Sequence, residues 1–251
     1  MALYEYPFNE GIRTMLRLEH LFGRLALLAA RDDAMDHHFA IATIFEVMDV
    51  ASRADLKSDV LKELERHRAH LQAYRGHPGI DESALDAVTA RIDTAFAALN
   101  AMPDKAGQAL ASNDWLMSIR SRINIPGGTC AFDLPAYHAW QLHPAERRRA
   151  DLHGWLSTLT PLAQALAALM GLLRDSGHWQ RMAAPGGHYQ QNLTQGKSFQ
   201  LLRVRLNDDT GLVPEISGHR LLVSIRFMRP EADGRLKNAN VDAAFELALC
   251  A

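Results

Sequence analysis

The chain has 251 residues, of which 48% are hydrophobic and 22% charged, with a net charge of −2 and two cysteines. That length supports one large core or two modest ones, and the near-neutral balance excludes a globally basic nucleic-acid binder. No run of eighteen apolar residues could cross a bilayer, the opening MALYEYPFNEGIR lacks the apolar region of a secretion signal, and Cys130 and Cys250 stand far apart without a CxxC. Reduced thiols and a cytoplasmic location are therefore expected.

In chain order, residues 8–121 carry helical periodicity. GIRTMLRLEHLFGRLALLAA places Ile12, Leu18, Leu21, Leu25 and Leu28 at three-to-four spacing, which paints one apolar face. FAIATIFEVMDVAS continues in the same mode, and ADLKSDVLKELERHRAHLQAY sets Leu56, Val60, Leu64 and Leu71 against dense charge. GHPG reads as a turn, DESALDAVTARIDTAFAALNAM as a helix with an acidic first turn, and ALASNDWLMSIRSR as a further helix. Alternation follows: Phe132, Leu134, Ala136, His138 and Trp140 against Asp133, Pro135, Tyr137 and Ala139 predict a strand after the Gly127–Gly128 turn. A helical segment over about 145–175 includes PLAQALAALMGLLRDSG, with Pro161 in the first turn and Gly177 as the stop.

Beyond 178 the period is two. SFQLLRVRL alternates Leu202, Val204 and Leu206 against Leu201, Arg203 and Arg205. RLLVSIRFM alternates Val223, Ile225 and Phe227 against Ser224 and Arg226, and AAFELALC puts Phe245, Leu247 and Leu249 on one face. APGG, NDDTG, EISGH and EADGRLKNAN read as turns, and LYEYPF as an extra strand of the same sheet. Helices first and antiparallel strands later predict an α+β protein. Its helical domain covers 8–121 and 145–176, and its antiparallel β-sheet domain 1–7, 126–142 and 178–251.

Among chemical candidates, Cys130 and His138 suggest a nucleophile and a base. On a strand, residues eight apart are separated by about 26 Å, too far for that contact. Cys130 then reads as a packed side chain and His138 as a core or interface histidine, with a polar binding role open; an enzyme built on this pair is the competing reading. TQGKS (194–198) resembles the end of a P-loop, but Gln191 stands where the motif needs glycine and a strand follows where it needs a helix. His37 with His38, and His67 with His70, lack the companions of a tetrahedral site, so no metal, cofactor or catalytic set is expected. One feature stands out. Arg203 and Arg205 share a strand face, Arg226 lies opposite the Ile225/Phe227 face, and Arg220, Arg229 and His219 flank it. If both strands bury their apolar faces, these guanidiniums share an outer face, either as solvated surface or as an anion site. No aromatic residues interleave them as in sheet-based RNA readers, so nucleic acid is not the expected partner.

YPFNEGIRTMLRLEHL, VLKELERHRAHLQAYRGHPGID, RSRINIPGGTCAFDLPAYHAW, LTPLAQAL and PEISGHRLLVSIRFM resemble the ZapD family of bacterial cell-division proteins, from residue 4 to the closing FELALC. The resemblance implies a non-enzymatic cytoplasmic homodimer at the midcell division ring, dimerising through its helical domain. It implies binding to the C-terminal tail of FtsZ, the tubulin-like GTPase of that ring, and bundling of FtsZ protofilaments, without cofactor, nucleic acid or membrane. Carried over residue by residue, Arg226 stands at a basic position implicated in tail binding, and Arg220 matches a basic position after ISGH. Arg17, Arg120, Arg203 and His138 fall on positions that are basic or histidine in relatives, and Arg205 joins them through its strand face. Leu222 replaces a second arginine of that strand, and the stretch around Trp115 lacks a basic residue the relatives carry. An acidic, extended tail with apolar anchors suits a basic sheet face, and two sites on a dimer make the second engagement on a polymer intramolecular.

Overall fold

The computed structural model describes residues 1–52, 56–194 and 196–251. The chain runs β1 (Ala2–Pro7), α1 (Glu10–Ala29), α2 (Ala34–Ala51), α3 (Leu56–Ala73), α4 (Glu82–Asn100), α5 (Gln108–Ala111), α6 (Asp114–Arg122), α7 (Pro135–Gln141), α8 (Ala145–Ser157) and α9 (Thr160–Asp175). The strands β2 (Gln180–Ala184), β3 (His188–Asn192), β4 (Leu201–Leu206), β5 (Val213–His219), β6 (Leu222–Pro230), β7 (Leu236–Asn238) and β8 (Ala243–Cys250) follow. This is the α+β class that the change of period predicts. Two compact units form, Met1–Met15 with Met170–Ala251, and Leu16–Leu169.

In the helical unit, α2 buries residues on most of its circumference, including Ile41, Ile44, Phe45, Val47 and Met48, as a central helix must. Asp33 caps it by accepting from Met35 N–H at 2.7 Å. α3 packs on α4, whose N-terminus is capped by Asp81. The expected third helix opens at Ala54 and Asp55, which lie outside the described residues. ALASNDWLMSIRSR is two helices, because α5 closes at Ser112 and Asn113 caps α6 by accepting from Leu116 N–H at 3.0 Å. The segment expected over 145–175 is α8 and α9, bent by 64°. Among the described residues no single helix is long and apolar enough to cross a membrane.

The strand expected within 126–142 is replaced by a turn-rich loop and α7. Consecutive bonds from Gly128 N–H to Ile125, from Cys130 to Gly127 and from Leu134 to Cys130 carry the chain through the loop. A Cβ on Gly128 would lie 2.6 Å from the Arg122 carbonyl oxygen, so only glycine fits there. Pro135 then supplies a helical φ in the first turn of α7, and Tyr137 and Trp140, three apart, are the buried pair. Phe132, expected on the same face as Trp140, is 86% exposed. The alternation was a coincidence of composition.

Arg148 of α8 is buried in the helical unit, 6% exposed, and among the described residues it has no carboxylate partner. Its Nε–H donates to His37 Nδ1 at 3.0 Å, and its other N–H groups donate to the carbonyls of Gln141 (3.0 Å), Asp32 (2.5 Å) and His143. His37 Nε2 in turn donates to the Arg31 carbonyl at 2.6 Å. This pairing fixes the neutral Nε2–H tautomer, since a proton on Nδ1 would face the guanidinium. Burial pushes the His37 imidazole below its ordinary pKa; the Arg31 carbonyl opposes that, and the Arg148 charge adds to it. Burial does the same to His38, whose Nδ1 meets the Tyr137 hydroxyl at 2.7 Å.

The second unit is a two-sheet sandwich. One sheet has the order β1-β4-β8-β2 and the other β3-β6-β5, with β7 also on β6, and every pairing is antiparallel. Leu202, Val204 and Leu206 of β4 and Phe245 and Leu247 of β8 form one core with Val223, Ile225 and Phe227 of β6. LYEYPF is indeed a strand, paired with β4. EISGH, expected as a turn, lies in β5, which pairs with β6 along its whole length. Gly177 closes α9 for a different reason from the one expected. A Cβ there would sit 2.5 Å from the Cys250 sulfur, so close approach demands glycine.

Two outcomes follow for the helical unit. Because the folded state disfavours protonated His37 and His38, thermal stability should be flat above about pH 7 and fall as the pH drops below the ordinary histidine value near 6.5. His37→Gln should flatten that acid limb in a circular-dichroism melt series. Arg148→Met strips the donor from three carbonyls and one imidazole and should cost about 3 kcal/mol at neutral pH.

Candidate functional site: the strand arginines

The alternation that buries Leu202, Val204 and Leu206 sends Arg203 and Arg205 to the outside of the first sheet. Arg203 lies opposite Glu5 of β1 in the strand register, and its Nε donates to the Glu5 carboxylate at 3.0 Å. Arg174, at the end of α9, clasps the same carboxylate with two bonds of 2.8 and 2.7 Å. The three side chains are only 13%, 22% and 15% exposed for Arg203, Arg174 and Glu5. Burial pushes the Glu5 carboxyl up, but the hydrogen bonds and charge of Arg174, then of Arg203, outweigh it and hold the group below the usual carboxylate range. Arg205 stacks its guanidinium 3.8 Å from the centre of the Trp179 ring and lies 3.9 Å from Glu246. Cys250 is buried beside this cluster, its thiol pushed up by burial.

Arg226 occupies the outward side of β6, between His188 of β3 and Glu215 of β5. Its Nη2 meets the Glu215 carboxylate at 2.6 Å, with both side chains about half exposed. Ser224, Ser217 and Gln190 continue this face by register, and half-buried Leu222 and Met228 bound it along β6, so its middle is polar. Arg220 is exposed in the link between β5 and β6, beside His219, whose Nδ1 accepts from Leu221 N–H at 3.3 Å.

The expectation of a single outer face is therefore corrected. Each sheet does bury its apolar side, but the two apolar sides meet each other. Arg203 and Arg205 consequently lie on one outside of the sandwich and Arg226 on the other. In the helical unit, Arg17 is exposed on α1, Arg120 of α6 pairs with Asp49 of α2, and His138 is exposed on α7. The Cys130 thiol donates to Asp133 at 3.4 Å, and no hydrogen bond joins Cys130 to His138 among the described residues. Sequence reading missed the Arg174–Glu5–Arg203 triad and the Trp179 platform. The acidic Glu5 in an otherwise apolar strand was the available signal.

The geometry defines a class: a two-unit α+β protein with an open, polar strand face that carries a half-exposed arginine. The ZapD family model, described as Cell division protein, matches residues 16–226. The chain is 53% identical over 251 residues to "Cell division protein ZapD" of Ralstonia pickettii (strain 12J), covering 100% of this chain and 99% of the relative. It is 52% identical over 251 residues to "Cell division protein ZapD" of Ralstonia nicotianae (strain ATCC BAA-1114 / GMI1000), with the same coverage. The chain belongs to the ZapD family of cell division proteins.

The two outsides of the sandwich predict opposite mutational behaviour. Arg203→Met leaves Glu5 with one guanidinium in a mostly buried setting and should cost about 1–3 kcal/mol. Arg226→Gln removes a half-exposed pair and should change stability by less than about 1 kcal/mol. Chemical denaturation of the two variants checks the contrast.

Proposed function

We propose that this chain binds the C-terminal tail of FtsZ and, as a homodimer, cross-links FtsZ protofilaments at the division ring in the cytoplasm. Family membership along the whole chain carries the reading, and the open face around Arg226 supports it. Arg226 and Arg220 of the sandwich unit receive acidic residues of the tail; Arg17, Arg120 and His138 of the helical unit are candidate tail contacts in their own right. Arg203 and Arg205, engaged by Glu5, Glu246 and Trp179, act by holding the sheet in shape. The protein works without catalysis. A competing enzyme would need the Cys130 thiol near His138, whereas its hydrogen bond is to Asp133.

Self-association has its own support. Leu27 of α1 and Met35 and Phe39 of α2 are 67%, 57% and 53% exposed, and the ion pairs Arg24–Glu46 and Arg31–Asp36 lie on the same stretch of chain. Exposed apolar side chains together with charges of both signs suit a self-complementary contact across a two-fold axis. Two tail sites per dimer then convert weak single contacts into bundling.

The test is pelleting of GTP-assembled FtsZ with this protein, using intact FtsZ and FtsZ lacking its tail. Intact filaments should bundle and co-pellet the protein, and tail-less filaments should do neither; equal bundling of both would contradict the reading. Arg226→Gln should weaken tail-peptide binding about 2- to 5-fold, the loss of one charged contact at a half-exposed site. Glutamine is preferable to glutamate here, because Arg226→Glu would also set two carboxylates against each other across β5 and β6.

A further inference from the structure

The outer face of the β6 sheet turns apolar next to Arg226. The register sets Met228 between Val213 of β5 and Asn238 of β7, and one step further along β6 it sets Pro230 beside Leu236 of β7. Side chains directly opposite each other across a ladder share a face, so Val213, Met228, Pro230 and Leu236 make one apolar shelf on the Arg226 side. None of the four is among the core residues, which on β6 are Val223, Ile225 and Phe227. Leu236 is 45% exposed, and β7, which arises within the EADGRLKNAN segment expected as a turn, is exposed along its whole length.

The shelf and the arginine occupy successive rows of one face. At about 3.3 Å per residue the Met228 row lies about 7 Å from Arg226 and the Pro230–Leu236 row about 13 Å. Among the described residues β7 pairs only with β6, so its outer edge is free. An exposed leucine on a free edge strand is a liability unless something covers it. The charge beside the shelf selects the cover. β3, β5, β6 and β7 carry Arg226, Arg229 and Lys237 against the single carboxylate of Glu215. Lys237 meets Glu231 of the preceding turn at 2.6 Å, whereas Arg229 has no ion-pair partner among the described residues. Cationic groups in excess around an apolar shelf favour a partner that is both acidic and apolar. An extended peptide lying along β6 presents side chains i, i+2 and i+4 to the sheet at the spacing of these three rows.

We propose that the Val213–Met228–Leu236 shelf seats an apolar anchor of the tail, while a tail carboxylate two to four residues away takes the place of Glu215 on Arg226. The inference rests on the reading of this chain as a tail binder and adds where the tail's apolar residues go. Fluorescence anisotropy of a labelled FtsZ tail peptide with the full-length protein tests it. Leu236→Ser, at an exposed strand position, should weaken binding about threefold through lost apolar contact. Leu3→Ser, 47% exposed on the outside of the other sheet, should leave binding unchanged. Replacing the tail's apolar residues by serine one at a time should find a position whose effect vanishes in Leu236→Ser protein. That position should lie two to four residues from the acidic one whose effect vanishes in Arg226→Gln protein. In protein labelled at methionine methyl groups, the Met228 signal should shift with the tail, and that of Met182, packed on the sandwich core, should not. Indifference of binding to Leu236→Ser, or an unmoved Met228 signal at saturation, would overturn the shelf; the tail-binding reading survives this if Arg226→Gln still weakens binding. No tail binding by the unaltered protein would overturn both. A Leu236→Ser protein that keeps its tail affinity but sediments as a monomer would give the shelf to self-association and overturn the proposal.

Discussion

The apposition of the two sheets governs what the strand arginines can do. Leu202, Val204, Leu206, Phe245 and Leu247 meet Val223, Ile225 and Phe227 in one core. Each such side chain contributes about 1.5–3 kcal/mol on full burial, more than any exposed ion pair in the unit. With a side-chain period of two, fixing those residues inward fixes their neighbours outward, and a slip of one residue would invert the whole set. Arg203 and Arg226 therefore occupy opposite outsides through the demands of the core.

The two outsides differ in desolvation. On the first sheet, Leu201, Ala248 and Cys250 are also fully buried, and the end of α9 brings Arg174 onto Glu5. An arginine confined there must keep a partner, and two guanidiniums sharing one carboxylate beside the Trp179 ring satisfy that need. On the second sheet, Arg226 holds Glu215 at a half-exposed position, where an ion pair is worth little. A pair that weak is readily exchanged for an incoming carboxylate. The same residue type is thus structural on one face and available on the other.

Much of this architecture is legible in the sequence, for physical reasons that also explain the failures. β4, β6 and β8 announce themselves because their inward positions are Leu, Val, Ile and Phe. β3, HYQQN, has little apolar content, and β5 ends in Ser-Gly-His, so local preference argues against both while pairing with β6 holds them in place. At 126–142 the alternation was accidental, and Pro135 with the Tyr137/Trp140 spacing was the better guide. Which way an arginine points along its strand is a local property. Which sheet it belongs to, and whether Glu5 or Arg174 meets it, depends on partners up to 198 residues away. The His37–Arg148 contact, 111 residues apart, is invisible to any local pattern for the same reason.

The central claim is that the outward face of β6 and β5, rather than that of β4, receives the acidic tail. Hydrogen–deuterium exchange of the full-length protein, with and without saturating FtsZ tail peptide, addresses it without any substitution. The account predicts new protection in peptides spanning 213–230 and none in those spanning 201–206. Protection confined to 201–206, or none in the sandwich unit at saturation, would contradict it.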